Sequence, residues 1–242
     1  MAGRSQYLEH QGIQIASGRV VNTSSIHKFG ATPAMSVNQT GTIWDINDTL
    51  YPWSAFNTPG VLTIPAVNAS DNGHVVTVIG LDSNYNEISE NFTVSSSTTT
   101  TGSLTFARVW RAFCTGGAGQ TNVGNINIQR SGTTVARITA TLSQTLMAIY
   151  TVPAGYNAFL MQGVCTVGAS ADATGNMFVR YFGQQTFRVG HSFEVSGTGG
   201  QYLYPFAVPI LIPEKSDIDV RANVRSNNAR ITAAFDIVLV KK

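Results

Sequence analysis

The chain has 242 residues, which is enough for one large β domain or for two domains of roughly 100 to 130 residues each. Only 12% of the residues are charged, against a usual fraction of about 25%, whereas 43% are hydrophobic, so the chain can bury a core without disulfides or metals. The formal net charge of +2 is not gathered into the basic stripe that binding to a phosphate backbone needs, which argues against nucleic acid as a partner.

The chain begins with a segment that predicts an arm. Residues 1–12 are polar, show no hydrophobic period and lack the apolar core of a signal peptide. We expect a mobile or partner-bound arm, with Tyr7 and Leu8 as its candidate contact residues. No apolar run in the chain approaches the roughly 18 to 20 residues of a membrane-spanning helix, so neither a membrane partner nor classical export is expected.

Short β-strands are predicted through the first half of the chain. Residues 13–21 alternate weakly between apolar and polar side chains and predict a first strand. Residues 74–79 and 88–94 flank an Asn-rich loop, a pattern that is typical of a β-hairpin. Strand alternation resumes at residues 104–114, after a loop rich in serine and threonine.

The most apolar part of the sequence lies between residues 145 and 168. Two β-favouring runs, 146–152 and 158–167, flank Pro153-Ala154-Gly155, where proline fixes φ and glycine permits a positive φ. This pattern predicts strand, turn, strand. Further strands are predicted at 135–140, 176–182, 186–195, 202–212, 218–224 and 230–240. Strands at this spacing, separated by turn signals, are typical of an antiparallel sandwich, and their number fits a jelly roll.

Together these patterns predict an all-β protein with almost no helix, built from two antiparallel β-sandwich domains. The arm would be followed by an N-terminal β-sandwich domain at 13–134. A C-terminal, jelly-roll-like β domain would occupy 135–242, with the boundary placed between residues 130 and 144.

The chain shows no set of residues arranged for catalysis or for holding a metal or cofactor. The four histidines never stand at metal-ligand spacing from one another or from a cysteine. The segment from Asp82 to Glu87 begins like a calcium loop, but it lacks the later glycine and acid of such a loop, and Asx residues are also common in hairpin loops. No nucleophile or phosphate-binding motif occurs. We therefore expect no enzyme, although carboxylates that are distant in sequence can still meet in space.

Two cysteines, Cys114 and Cys165, stand far apart with no histidine set nearby. We expect both to be buried as small hydrophobic side chains, and a disulfide or a reactive thiol is the alternative.

An aromatic cluster lies at Trp44, Tyr51, Trp53 and Phe56. Such a cluster can close the end of a sandwich core, form a patch that contacts another protein, or offer a platform on which a sugar stacks. The sequence leaves all three open. Trp44, Tyr51 and Trp53 are accordingly candidate interaction residues.

Six segments stand out along the sequence: IHKFG at 26–30, TIWD at 42–45, YPW at 51–53, GLDSNYNEISE at 80–90, RVWRAF at 108–113 and LMAIYTVPAG at 146–155. Together they resemble virion structural proteins of tailed bacteriophages, particularly marine and cyanobacterial podophage-like viruses. The resemblance covers roughly residues 20 to 165, and its motifs are structural, so it supplies no site residue.

The resemblance implies a capsid decoration (cement) protein, on the head surface of a phage particle assembled in the host cytoplasm. Its implied partner is the major capsid protein, which it would bind and stabilise. The C-terminal domain would self-associate, and a homotrimer is expected. The alternative is a head, neck or tail-fibre component that contacts host surface glycan, and a glycan depolymerase is a more distant one.

Overall fold

The computed structural model describes residues 11–117, 121–168, 171–197 and 199–242. The predicted contact residues Tyr7 and Leu8 lie outside this range. The elements in chain order are α1 (Gln11–Ala16), β1 (Thr23–Met35), β2 (Thr40–Thr42), β3 (Thr63–Ile64), β4 (Val75–Leu81), β5 (Glu87–Thr93), β6 (Thr100–Thr101), β7 (Arg108–Gly116), β8 (Ile126–Arg130), β9 (Thr133–Ile138), β10 (Ile149–Thr151), β11 (Tyr156–Val167), β12 (Ala173–Arg180), β13 (Arg188–Val195), β14 (Gln201–Ile212), β15 (Asp217–Val224) and β16 (Ala229–Lys241). Two short 3-10 helices, Trp53–Phe56 and Ala69–Asp71, complete the set.

The prediction of an all-β fold is confirmed. Its strands form because apolar and polar side chains alternate with a period of two, which places the apolar ones on a single face. In β12 and β16 every second residue is buried along most of the strand. No helix among the described residues is long and apolar enough to cross a membrane.

Four antiparallel sheets contain these strands. One has the strand order β1-β16-β11-β14, and a second has the order β10-β15-β12-β13 with β2 also paired to β15. The other two have the orders β6-β3-β8-β9 and β5-β4-β7. The predicted hairpin around residues 82–86 is confirmed as β4 and β5, which pair along their whole length.

The strand pairing crosses the predicted domain boundary. β1 pairs with β16, so that His27 lies opposite Asp236, and β2 pairs with β15, so that Gly41 lies opposite Ala222. Residues near the start of the chain therefore complete the sheets of its second half. A description as two separate sandwich domains is not confirmed, and the boundary near residue 135 stays a prediction.

The predicted strand at 13–21 is wrong, because residues 11–16 form the helix α1. A strand needs a neighbour for its backbone N–H and C=O groups. The edge of β16 is taken by residues 23–35, whereas a short helix satisfies its backbone groups locally. No residue of α1 is buried.

The strand, turn, strand pattern around Pro153 is found, but the two strands do not pair with each other. β10 pairs with β15, whereas β11 lies between β14 and β16 in the other sheet. The turn therefore carries the chain from one sheet to the next. Both strands contribute to the core, where Ile149, Tyr150 and Leu160 are buried.

The cysteines are both free thiols. Cys165 is buried as predicted, and burial raises the pKa of its thiol to about 12. Cys114 is only half-buried, because the end of β7 reaches the surface of its sheet.

Candidate interaction surface

The aromatic residues that the sequence offers as contact residues lie in the core. Trp44, Tyr51 and Trp53 are all buried, and the Tyr51 ring packs edge-on against both tryptophans at centroid distances of 5.2 and 4.7 Å. Their polar atoms bond inside the protein: Tyr51 OH donates to the Val109 carbonyl at 3.1 Å and Trp53 Nε1 to Asp219 Oδ2 at 2.9 Å. These three residues therefore close the core, and their assignment as an exposed contact surface is corrected.

Four of the exposed large apolar side chains lie along one strand, β14. This strand is at the edge of its sheet, since β11 is its one hydrogen-bonded neighbour among the strands of the described residues. Its twelve residues include no charged side chain. We call the exposed side chains of this strand, on either face, the β14 surface, and its most exposed large apolar residues are Leu203, Tyr204, Val208 and Leu211.

The side chains on one face of β14 pack against β13, the edge strand of the other large sheet. Tyr202 lies opposite the buried Cys165 in the strand pairing, and Tyr204 and Phe206 follow it with the period of a strand. These three rings surround His191 of β13, with ring centroids 5.8, 5.0 and 5.1 Å away. The cluster closes a small apolar cavity of about 30 Å³.

The imidazole of His191 is hydrogen-bonded within this cluster. Its Nε2 and the Tyr202 hydroxyl lie 2.9 Å apart in a hydrogen bond. Partial burial lowers the pKa of His191, because the surrounding rings solvate its charged form poorly. The same burial raises the pKa of Tyr202. Both shifts favour neutral side chains at this edge.

The backbone of β14 is poorly suited to adding another strand. Pro205 and Pro209 have no N–H group to donate, and the pairing with β11 shifts in register between Pro205 and Ile210. The extra residues form a bulge that carries Val208, which is 82% exposed. This edge therefore offers a neighbour mainly side-chain contacts rather than backbone hydrogen bonds.

The sequence predicts the strand at 202–212, but it does not single out this surface as a candidate site. The signal is nevertheless present: residues 201–212 form a long run with no charge, two prolines and a period of two. Whether such a strand is central or at an edge depends on which strands pair, and the sequence does not state this.

Within the described residues, no group of three or more His, Cys, Asp or Glu side chains is placed to hold a metal ion. The carboxylate of Asp82, which begins the calcium-like pattern, is used by its own loop. Its Oδ1 accepts the backbone N–H groups of Asn84 and Asn86, each at 2.8 Å. This is the hairpin-loop alternative that the sequence left open.

No family model matches the chain, and no curated protein matches it. Among solved structures, the chain is similar to the VP2 subviral particle of infectious bursal disease virus, at 10% sequence identity and a TM-score of 0.24, over 91% of this chain and 72% of that one. It is also similar to a chain of the Gx strain of the same virus, at 9% identity and a TM-score of 0.25, over 90% of this chain and 76% of that one. TM-scores this low do not establish a shared fold, so these similarities carry no weight in the proposals that follow.

Proposed function

We propose that this chain is a non-enzymatic structural protein of a virus particle, acting as a capsid decoration (cement) protein. The observation that carries the proposal is the β14 surface, a twelve-residue edge strand with exposed apolar side chains and no charge. A concentrated apolar surface of this kind marks a site of contact with another protein, because covering it removes apolar area from water. The resemblance of residues 20–165 to tailed-phage particle proteins supplies the class of assembly.

The β14 surface joins copies of this chain to one another, and a homotrimer is the expected state. Two copies of an uncharged strand approach without like-charge repulsion, so a self-complementary contact costs no electrostatic energy. Leu203, Val208 and Leu211 supply the apolar contact area. Because the two prolines have no N–H to donate, β14 does not readily add further strands, and this disfavours assembly into an open-ended sheet.

Stabilisation of the shell follows from binding the assembled state in preference to its dissociated parts. In this proposal the oligomer holds several copies of the major capsid protein together. The predicted arm, residues 1–12 with Tyr7 and Leu8, would supply the contact with the shell. Deleting residues 1–10 is expected to lower the occupancy of the protein on purified particles, and unchanged occupancy would argue against the arm.

The oligomeric state tests the β14 surface directly. Light scattering of the purified native chain is expected to give about three times the monomer mass of 25.8 kDa. Val208→Asp places a charge in the contact and is expected to give the monomer. Val21→Asp is the matched control: Val21 is 80% exposed and Val208 82%, and Val21 directly precedes β1, which is at the opposite edge of this sheet from β14. A native chain that stays monomeric at high concentration contradicts self-association.

Copy number tests the role on the particle. Quantitative mass spectrometry of purified particles is expected to find this chain in a fixed ratio of one-to-one or one-to-three with the major shell protein. A handful of copies per particle would contradict the decoration role. It would favour a neck or tail component that contacts host glycan.

A further inference from the structure

A second feature of the structure is a polar cavity that shares no residue with the β14 surface. It has a volume of about 200 Å³ and opens to solvent between the 3-10 helix Trp53–Phe56, the end of β12 and the start of β15. Three cationic side chains line it, Arg108, Arg180 and Lys215, together with one carboxylate, Asp217. The cavity therefore carries a net charge of +2.

The single carboxylate is already saturated. Asp217 Oδ1 accepts from Arg108 Nε at 2.8 Å and from Thr151 Oγ1 at 2.7 Å. Its Oδ2 accepts from Arg108 Nη2 at 3.1 Å and from Arg180 Nη2 at 2.6 Å. One carboxylate thus serves two guanidinium groups, and the excess positive charge faces the cavity.

The ammonium group of Lys215 makes no direct ion pair among the described residues, and it interacts with the neighbouring carboxylate of Glu214 only at longer range. Its Nζ lies over the rings of Tyr85 and Phe182 at 5.8 and 5.0 Å. The adjacent carboxylate of Glu214 is paired with Lys242 at 2.7 Å and accepts the Gly155 N–H at 2.6 Å. An anion entering the cavity would therefore find Lys215 available.

Aromatic rings hold the cations in place. The Arg108 guanidinium carbon lies 5.7 Å from the Trp53 ring and 5.5 Å from Tyr85, and that of Arg180 lies 5.5 Å from Trp53 and 4.6 Å from Phe187. Such cation–π contacts fix the positive charges before any ligand arrives. A rigid site loses less conformational entropy on binding than a flexible one.

The rim of the cavity suits a ligand with hydroxyl groups. Asn57, Gln184 and Gln185 line it, and their side-chain amides make no hydrogen bond within the described part of the chain. Amides can both donate to and accept from hydroxyl groups. Phe182, which is 59% exposed, offers an apolar ring beside them. The volume of about 200 Å³ is far more than the roughly 10 to 15 Å³ that one water needs, so the cavity has room for a ligand larger than a small inorganic anion.

We propose that this cavity binds an acidic monosaccharide unit, a hexuronate, with its carboxylate at Lys215 and its hydroxyl groups at the amides of Gln184 and Gln185. The proposal does not rest on the capsid role, and the residues that carry the two are different. A carboxylate is favoured because a planar anion can bond to an ammonium and to a guanidinium edge together. The ring of Phe182 covers the apolar face of the sugar.

Calorimetric titration of the full chain with sodium glucuronate tests the proposal, with glucose and sodium acetate as the two partial ligands. Glucuronate is expected to bind saturably, and each partial ligand at least about tenfold more weakly. Equal binding of acetate, or the absence of saturable glucuronate binding, would overturn the proposal.

Three variants locate the site. Lys215→Met is expected to weaken glucuronate binding by about tenfold or more, whereas Lys241→Met, which makes the same charge change on the exposed end of β16, is expected to leave it within about twofold. Gln185→Ala changes an exposed side chain that forms no bond in the fold, and it is expected to weaken glucuronate binding but not acetate binding. Unchanged glucuronate binding in both Lys215→Met and Gln185→Ala would place any bound sugar elsewhere.

Discussion

Arg108 and Asp217 lie 109 residues apart in the sequence and are joined by a two-pronged ion pair, with Arg108 Nε 2.8 Å from Oδ1 and Nη2 3.1 Å from Oδ2. Arg108 is on β7 and Asp217 on β15, which belong to different sheets. Arg180 of β12 adds a second guanidinium to the same carboxylate at 2.6 Å. This pair connects the sheet of β4, β5 and β7 with the larger sheets of the second half.

We predict that Asp217→Asn strongly destabilises the fold. Removing the charge leaves the buried guanidinium of Arg108 and the half-buried one of Arg180 without a carboxylate, and breaking a buried pair typically costs about 3 to 5 kcal/mol. The free energy of unfolding from urea titration should fall by this amount. Asp236→Asn is the control: it removes a more exposed carboxylate that pairs with His27, and a loss below about 1 kcal/mol is expected. Equal losses in the two variants would contradict the structural role given to Asp217.

The buried carboxyl of Asp45 predicts a pH-dependent stability. Burial raises its pKa to about 7, although Leu146 N–H at 2.7 Å and Thr139 Oγ1 at 3.1 Å donate to it. Between its ordinary pKa of 3.8 and about 7, the folded protein holds a proton that the unfolded chain has released. The free energy of unfolding should therefore fall as pH rises through this window, by up to about 1.4 kcal/mol per pH unit.

Asp45→Asn cannot titrate; its amide oxygen can accept the Leu146 N–H, and its amide nitrogen can donate to Thr139 Oγ1. We predict that the decline between pH 4 and 7 becomes shallower in this variant, as measured by urea unfolding at several pH values. If the free energy of unfolding declines equally in the native protein and the variant between pH 4 and 7, the raised pKa assigned to Asp45 is contradicted.

The buried amine of Lys28 predicts that stability depends on pH in the opposite sense above pH 7. Its Nζ is buried and donates to the Trp110 carbonyl at 2.6 Å. Burial, assisted by Arg111 and opposed by Asp45, lowers its pKa from 10.5 to about 7. Between these values the unfolded chain holds a proton that the folded protein lacks, so the free energy of unfolding should rise with pH. In Lys28→Met, the free energy of unfolding should rise less steeply with pH above pH 7, whereas its decline below pH 7 should remain. A rise as large as in the native protein would contradict the assignment to Lys28.

Gly80 on β4 predicts a steric effect. A Cβ atom at this position would overlap the backbone oxygen of Arg108, which cannot move without shifting β7. Gly80→Ala should therefore destabilise the protein by about 1 to 3 kcal/mol, the usual cost of overpacking. Gly163→Ala is the matched control within a strand, because its Cβ meets no atom within 4 Å. Thermal unfolding of both variants gives the comparison, and similar melting temperatures would argue against the close approach at Gly80.

Strand positions could be predicted from the sequence where the signal is local. The hairpin of β4 and β5 and the long strand β14 follow from alternation and turn residues, both of which act within a few residues of the chain. The helix α1 was wrongly predicted as a strand. The weak alternation of residues 13–21 suggests a strand, but it does not show whether a neighbouring strand is free to pair with it. The burial of Trp44, Tyr51 and Trp53 was one of three alternatives, since an aromatic cluster looks the same in a core and on a surface.

The sequence by itself determined the β character of the chain, the low charge of its surface and the places where the backbone turns, because each depends on residue type and short spacing. Only the tertiary structure decided which strands are neighbours. It placed β1 against β16, left β14 at an edge and brought Arg108, Arg180 and Lys215 around Asp217. These outcomes depend on contacts between residues far apart in the chain, and local propensity does not encode such contacts.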